Sequence, residues 1–127
     1  MKAKALLALV QNALEDMKGQ DIRVLNVEAL TSITSHMVVC SGTSVRHVKS
    51  MAESVVAEAK HKDHQPLGVE GLDSGEWVLV DLGDVVVHVM HLQTRALYQL
   101  EKLWDVRQLG DAEIAAKHIA ISEPAAK

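Results

Sequence analysis

The sequence predicts a single α/β (α+β) domain in which helices pack on a mixed β-sheet. Its length of 127 residues is that of one domain. Apolar residues make up 48% of the chain and include no Phe, so Val, Leu and Ala must fill the core. β-Branched Val favours a pleated sheet. Segments with helical and strand periodicity alternate along the chain, which indicates helices packed against a sheet.

The first third predicts a helix followed by two strands. Apolar residues recur at three- and four-residue steps at Leu6, Leu7, Val10, Leu14 and Met17. This spacing predicts an amphipathic helix, with Gly19 as its C-terminal cap. Residues 22–27 are short and β-branched and predict a strand, and the polar residues 28–35 predict a loop. Residues 37–40 predict a second strand.

The rest of the chain predicts a second helix, three more strands and a third helix. Ser44 has the residue type of an N-cap, and helical spacing continues from it to about Lys62. The elements that follow are a short strand at 67–69, a β-hairpin of strands 77–80 and 85–90 around a turn at 81–84, and a helix from Thr94. We assign residues 1–109 to the folded domain. The Ala-rich residues 110–127 predict a tail that frays or is disordered.

Charge and cysteine content exclude several classes of function. The net charge is −4 and no run of Lys and Arg occurs, so direct nucleic-acid binding is not expected. Cys40 is the sole cysteine, which excludes an internal disulfide and fits a reducing compartment. The apolar run 5–10 is too short for a signal peptide or a membrane span. These features predict a cytoplasmic protein without a membrane partner.

The histidines, the cysteine and the glycine-containing turn form no pattern that indicates a catalytic site, a metal site or a cofactor site. The histidine pairs His61/His64 and His88/His91 lack the further ligands of a metal site, so hydrogen-bonded or surface histidines are favoured. Cys40 is interpreted as a small buried residue, not a nucleophile. The turn at 42–44 (Gly-Thr-Ser) resembles a phosphate-binding strand-to-helix turn but lacks the glycines of the known fingerprints. It leaves a nucleotide-binding or nucleotidyltransferase-like enzyme as the alternative function.

Residues 70–84 are the strongest candidate for a binding surface. This segment carries five acidic residues and no Lys or Arg, with Trp77 at the start of a strand and Leu82 in the turn. Trp is enriched among interface hot spots, and an acidic surface with apolar anchors suits a basic protein partner. Core packing of Trp77 beside a solvated acidic loop explains the pattern equally well. Pairing of the apolar hairpin with a second copy, giving a homodimer, is a third possibility.

Four motifs in this order resemble the ribosomal silencing factor family, also called Iojap. They are SGTSVRHV at 41–48, GVEG at 68–71, WVLVDLGDVVVHVM at 77–90, and Arg95 and Tyr98 followed by LEKLW at 100–104. The resemblance spans residues 2–104. It implies a nucleotidyltransferase-like fold without catalytic carboxylates. It also implies a cytoplasmic protein that binds the large ribosomal subunit through ribosomal protein fourteen of that subunit. The small subunit is then kept from joining, and translation is repressed.

The resemblance also implies which residues contact the partner. By motif position these are Trp77, Leu82, Gly83, Asp84, His88 and Tyr98. Trp77 and Tyr98 would be aromatic anchors, Leu82 an exposed apolar knob, and Asp84 the partner of a basic residue. The chain departs from the family at Ser35-His36, where an Asp-containing pair is usual. If that Asp serves as a hydrogen-bonding group in the loop, Ser35 can do so more weakly. If the Asp contacts the partner, that contact is lost here.

Overall fold

The computed structural model describes residues 2–98, apart from the side chains of Leu97 and Tyr98. Three helices and five strands follow one another along this part of the chain. They are α1 (Ala3–Asp16), β1 (Gln20–Asn26), β2 (His36–Gly42), α2 (Val45–His61), β3 (Gly68–Glu70), β4 (Trp77–Asp81), β5 (Val85–His91) and α3 (Leu92–Tyr98). The predicted α/β fold with a mixed sheet is confirmed.

The five strands form one sheet in the order β1-β2-β5-β4-β3. The central strands β2 and β5 run parallel, from the pair His36 and Val85 to the pair Gly42 and His91. The remaining neighbours pair antiparallel, and β4 and β5 form the predicted hairpin. Both central strands are buried on their two faces. This double burial explains their continuous apolar sequence, since neither face meets water.

Helices α1 and α2 cover one face of the sheet, which we call the helix face. Alternate residues of the strands point toward these helices. The buried cluster on this face is Leu6, Val10, Ala13, Leu14, Val38, Cys40, Val48, Met51, Ala52, Val55, Ala59, Val78, Val80, Leu82, Val85, Val87 and Val89. None of the helices within residues 2–98 combines the length and hydropathy that crossing a bilayer requires.

The opposite face, which we call the second face, carries a smaller apolar cluster. Its buried members are Val27, Met37, Val39, Leu79, Val86 and Met90, with Leu25, Leu30 and Trp77 packed against them. The segment between β1 and β2 contributes to this cover, because Thr31 and Thr34 within it are also buried. The backbone N–H of Thr31 donates to the carbonyl of Val27 at 3.1 Å, which folds the segment over the sheet.

The end of α1 differs from the prediction. Lys18, not Gly19, adopts the left-handed conformation with φ of 62°. The N–H of Gly19 donates to the Leu14 carbonyl at 2.8 Å, and that of Lys18 donates to the Glu15 carbonyl at 2.9 Å. These two bonds form a Schellman motif. Gly19 is required for a different reason, because a Cβ there would lie 2.5 Å from Sγ of Cys40.

Other boundaries fall within one or two residues of the prediction. Ser44 is the N-cap of α2, and its side chain accepts a hydrogen bond from the N–H of His47. The short strand β3 begins at Gly68, which leaves Leu67 outside it. The third helix begins at Leu92, before the predicted Thr94. The predicted continuation of that helix and the tail at 110–127 lie outside the described residues.

Candidate functional site

The turn between β4 and β5 is held by hydrogen bonds from the start of β2 and from the connection between α2 and β3. The carbonyl of Asp84 accepts from the N–H and Oγ of Ser35, at 3.1 and 2.8 Å, and from the N–H of His36 at 3.0 Å. His64 Nε2 donates to the Leu82 carbonyl at 2.8 Å. The N–H of Leu67 donates to the Asp81 carbonyl at 2.8 Å. The turn is therefore a fixed feature of the surface.

Leu82 is buried in this turn, with 1% of its surface exposed, so the expectation of an exposed apolar knob is wrong. The physical reason is the alternation of β4. Val78 and Val80 point to the helix face, and Leu82 continues that two-residue period into the turn. It completes the helix-face cluster, and its side chain is not available to a partner in this conformation.

His88 is also buried, with 0% exposure, which contradicts a role as a surface contact. It lies on the second face, flanked across the sheet by Val39 of β2 and Leu79 of β4. Its Nδ1 accepts a hydrogen bond of 2.8 Å from Nε1 of Trp77. Burial lowers the pKa of His88 to about 3, so the imidazole is neutral at cellular pH. His88 thus contacts the candidate site from the interior of the sheet, through its hydrogen bond with Trp77.

Trp77 is half-buried at the start of β4, where it pairs with Met90 of β5. Its indole packs against the second-face cluster and keeps part of its surface exposed. The indole is therefore packed in part against the core, and whether its exposed part anchors a partner stays a prediction. Asp81 lies on the same face of β4, because the two residues are four apart in a strand.

Exposed and half-buried acidic and apolar groups occur on the second face of β3 and β4 and at the adjoining β4–β5 turn, and we call this region the β3–β4 surface. Its members are Leu67, Glu70, Trp77, Asp81, Gly83 and Asp84. Glu70 pairs with Leu79 and therefore shares the face of Trp77 and Asp81. Glu70 and Asp84 are exposed. From Trp77 to Asp81 the surface extends about 13 Å along the strand, and the turn with Asp84 lies beyond.

Leu67 supplies the apolar group that the sequence assigned to Leu82. It is 75% exposed, more than any other large apolar side chain in the described part of the chain. A Cβ added to Gly83 would lie 3.8 Å from Cδ1 of Leu67, so the two residues are neighbours at the turn. Gly83 has φ of 92°, a conformation that favours glycine, and its N–H donates to Oδ1 of Asp81 at 2.9 Å.

The charge around this surface has one sign over a long stretch of sequence. Between Lys62 and Arg95 the chain has no Lys or Arg. The acidic residues of this stretch are Asp63, Glu70, Asp73, Glu76, Asp81 and Asp84. A run of acidic residues without Lys or Arg favours a basic partner for this surface. The sequence analysis identified residues 70–84 of this acidic stretch. It did not include Asp63 and the exposed Leu67, which precede them.

Tyr98 is the last described residue of α3, and its side chain lies outside the described part of the structure. Its predicted role as an aromatic anchor stays a prediction. Arg95, three residues earlier, is buried and donates to the Asp21 carbonyl at 2.7 Å and to Oγ of Ser41 at 2.9 Å. These bonds fix α3 at the end of β2, on the second face.

Ser35 takes the hydrogen-bonding role that was expected for the residue at this position. Its Oγ donates to the Asp84 carbonyl, and Nδ1 of His36 lies 2.9 Å from the same Oγ. Because the hydroxyl proton points to the carbonyl, the imidazole must donate to Oγ and cannot accept its proton. Ser35 is therefore a support of the turn and not an activated nucleophile.

The strand-to-helix turn at 42–44 is occupied by contacts within the protein. A Cβ on Gly42 would lie 2.8 Å from Cγ2 of Val48, so this glycine permits α2 to pack closely on the strand. The N–H of Thr43 donates to Nδ1 of His47 at 3.0 Å.

Burial raises the pKa of the Cys40 thiol to about 11, which keeps it protonated. Within residues 2–98, no three His, Cys, Asp or Glu side chains converge as metal ligands would.

The fold and the β3–β4 surface define the class of protein: a small mixed-sheet α/β domain with a rigid, acidic, apolar-edged surface at its hairpin. The family model described as "ribosomal silencing factor during starvation" matches residues 1–127. The chain belongs to the ribosomal silencing factor family. The match extends past Trp104, where the motifs noted in the sequence end.

Relatives from several bacteria and from mouse support this membership. The ribosomal silencing factor of Chromobacterium violaceum is 45% identical over 117 residues, which is 92% of this chain and 96% of that protein. The silencing factor of Haemophilus influenzae is 41% identical over 100 residues, covering 79% of this chain and 98% of that protein. The mouse protein named mitochondrial assembly of ribosomal large subunit protein 1 is 36% identical over 120 residues. That match covers 91% of this chain and 53% of the mouse protein.

Solved structures share the fold. A crystal structure of a Chromobacterium violaceum protein has a TM-score of 0.81 and 47% identity, and it covers 83% of this chain and 88% of that one. A Bacillus halodurans structure has a TM-score of 0.74 and 38% identity, covering 80% of this chain and 94% of that one.

Proposed function

We propose that this protein docks on the large ribosomal subunit through ribosomal protein fourteen of that subunit, and that it thereby keeps the small subunit from joining and represses translation. The family membership supports this function, because relatives that match most of the chain are named ribosomal silencing factors. A relative named for assembly of the large subunit points to the same particle.

The observation that carries the proposal is the acid-only stretch from Asp63 to Asp84 that surrounds an exposed leucine and a half-buried tryptophan. Proteins that coat ribosomal RNA are basic, so a negative surface steers this domain toward them. Leu67 and Trp77 then supply the apolar contacts that hold the complex once it forms. Asp84, which is exposed on the turn, would pair with a basic side chain of the partner.

The mechanism is steric and requires no chemical step. A standard protein interface buries roughly 800 Å² on each partner, which a domain of this size can supply. The rest of the domain then occupies space that the small subunit would need. The turn is held by Ser35, His64 and Leu67, so the partner meets a preformed surface and little conformational entropy is lost on docking.

Co-sedimentation with purified large subunits tests this function. We expect the wild-type protein to pellet with the large subunit and not with the small one. Asp84→Lys reverses a charge on the β3–β4 surface and is expected to abolish pelleting. Glu15→Lys is the matched control, because Glu15 is an exposed acid of α1. It makes the same charge change away from the proposed contact. Equal pelleting of both variants would overturn the proposed surface, and no pelleting of the wild type would overturn the function.

A further inference from the structure

The second face contains a hydrogen bond between a buried histidine and the aromatic residue of the proposed docking surface. Nε1 of Trp77 lies 2.8 Å from Nδ1 of His88. The ring centroids are 5.8 Å apart and the ring planes are tilted by 51°. His88 is wholly buried in the middle of β5, whereas Trp77 is half-buried at the start of β4. The bond therefore joins the interior of the sheet to its surface.

The chemistry of the two rings fixes the protonation of His88. An indole N–H only donates, so Nδ1 of His88 must carry a lone pair and Nε2 must carry the proton. Nε2 has no hydrogen-bond partner in the part of the chain that the structure describes. A buried donor without an acceptor destabilises the fold. Stability alone would favour an apolar residue here, as at the neighbouring Val86 and Met90 of the same face.

A histidine at this position is explained by what it does to Trp77. The indole has two side-chain torsions, and because the ring is only half-buried, its orientation depends on the specific contacts that it makes. An acceptor fixed in the sheet selects the rotamer that points the N–H inward. The exposed edge of the ring then has one orientation before any partner arrives, and this preorganisation improves binding.

We infer that His88 is a positioning residue for docking, which holds the Trp77 indole in a single orientation at the β3–β4 surface. This inference rests on the proposed function. His88 makes no contact with the partner, because its side chain is buried beneath Trp77 between Val39 and Leu79. Its contribution to affinity passes through Trp77 alone.

A matched pair of variants separates the acceptor from the packing. Asn and Leu have the same branched shape, but Asn retains an acceptor oxygen near the place of Nδ1 and Leu does not. We expect His88→Asn to bind large subunits nearly as the wild type does. His88→Leu is expected to bind about 3- to 10-fold more weakly, the cost of ordering one large side chain on binding. In a Trp77→Phe background, which has no indole N–H, His88→Leu should cause no further loss.

A second readout does not depend on the ribosome. The indole N–H resonance of Trp77, assigned in an NMR spectrum by its loss in Trp77→Phe, reports the bond directly. We expect its exchange with solvent to be slow in the wild type and in His88→Asn, and fast in His88→Leu. If His88→Leu fails to fold, His88→Phe takes its place, since it fills the volume of the imidazole and lacks an acceptor.

Two results would overturn the positioning role. One is slow exchange and unchanged affinity in the folded apolar variant. The other is an equal loss of affinity from His88→Leu with and without the Trp77 indole N–H, which would mean that His88 acts by another route. Absence of binding by the wild type would instead refute the proposed function, and the exchange experiment would still decide whether His88 orients Trp77.

Discussion

His88 gives the protein a pH dependence that follows from its burial. The pKa of a free histidine is near 6.5, and burial lowers that of His88 to about 3. Between these two pH values, the unfolded chain therefore binds a proton at His88 that the folded chain does not bind. The free energy of unfolding falls as the pH falls through that range. Above pH 6.5 both states are neutral and His88 contributes no pH dependence.

We predict that the free energy of unfolding falls by about 2 kcal/mol between pH 7 and pH 5 because of His88. Urea denaturation of the wild type and of His88→Leu at both pH values measures this difference. Other groups titrate in both proteins, so the difference between the two proteins isolates His88. A variant with the same pH dependence as the wild type would show that His88 is protonated in the folded state.

The site residues show which surface positions could be predicted from the sequence and which could not. Trp77, Gly83 and Asp84 lie on the β3–β4 surface, as expected from their motif positions, and whether they contact the partner stays a prediction. His88 failed as a surface residue because both faces of β5 are covered, so no alternation marks an outward position. Its role depends on a hydrogen bond to a residue 11 positions away, which no local pattern encodes.

Two leucines near the β4–β5 turn have opposite environments: Leu82 lies within the turn, and Leu67 precedes β3. Leu82 is 1% exposed and Leu67 is 75% exposed. The alternation of Val78 and Val80 along β4 predicts that Leu82 also points to the core. Its assignment to a turn instead suggested that it is exposed. Leu67 was assigned to a strand, and its exposure depends on β3 starting one residue later. Strand boundaries of this kind are set by long-range pairing, which one sequence does not reveal.

We predict that Leu82→Ala lowers the free energy of unfolding by about 2–5 kcal/mol, because it leaves a cavity in the helix-face cluster. Leu67→Ser is expected to change it by less than about 0.5 kcal/mol, since the side chain is already in water. Chemical denaturation measures both. Leu67→Ser should nevertheless weaken co-sedimentation with large subunits. Comparable destabilisation by the two variants would contradict the buried and exposed positions assigned to them.

The end of α1 offers a stabilising substitution. The left-handed backbone conformation of Lys18 costs conformational free energy that a glycine would not lose. Lys18 occupies the position of the Schellman motif where glycine is usual. We predict that Lys18→Gly raises stability by up to about 1 kcal/mol. Gly19→Ala is expected to lower it, because the new Cβ would collide with Sγ of Cys40. Thermal unfolding of the two neighbouring variants should shift in opposite directions, and a shift in the same direction would argue against this geometry.

At the scale of the whole molecule, the order of helices and strands followed from periodicity, whereas the sheet order did not. Sequence alone predicted the hairpin and the mixed sheet. It did not place β2 beside β5, a parallel pairing between strands 49 residues apart at His36 and Val85. That pairing is what brings Ser35 to the turn and makes the acidic hairpin part of a rigid body.

The distribution of charge predicts how docking depends on salt. Attraction between the acid-only stretch and a basic partner is screened over about 10 Å at 0.1 M salt. We predict that the association rate with large subunits falls at least several-fold between 0.05 and 0.3 M monovalent salt. The double variant Glu70→Gln/Asp84→Asn should show a smaller fall, measured by stopped-flow fluorescence. Equal salt dependence in the two proteins would place the electrostatic contact elsewhere.

The central claim is that docking through the β3–β4 surface holds the two ribosomal subunits apart. Light scattering during mixing of purified subunits tests it most directly, with the large subunit preincubated with wild-type protein, Asp84→Lys or the Glu15→Lys control. We predict that the wild type and the control suppress the rise in scattering as subunits join, and that Asp84→Lys leaves it intact. Undiminished joining in the presence of saturating wild-type protein would contradict the account.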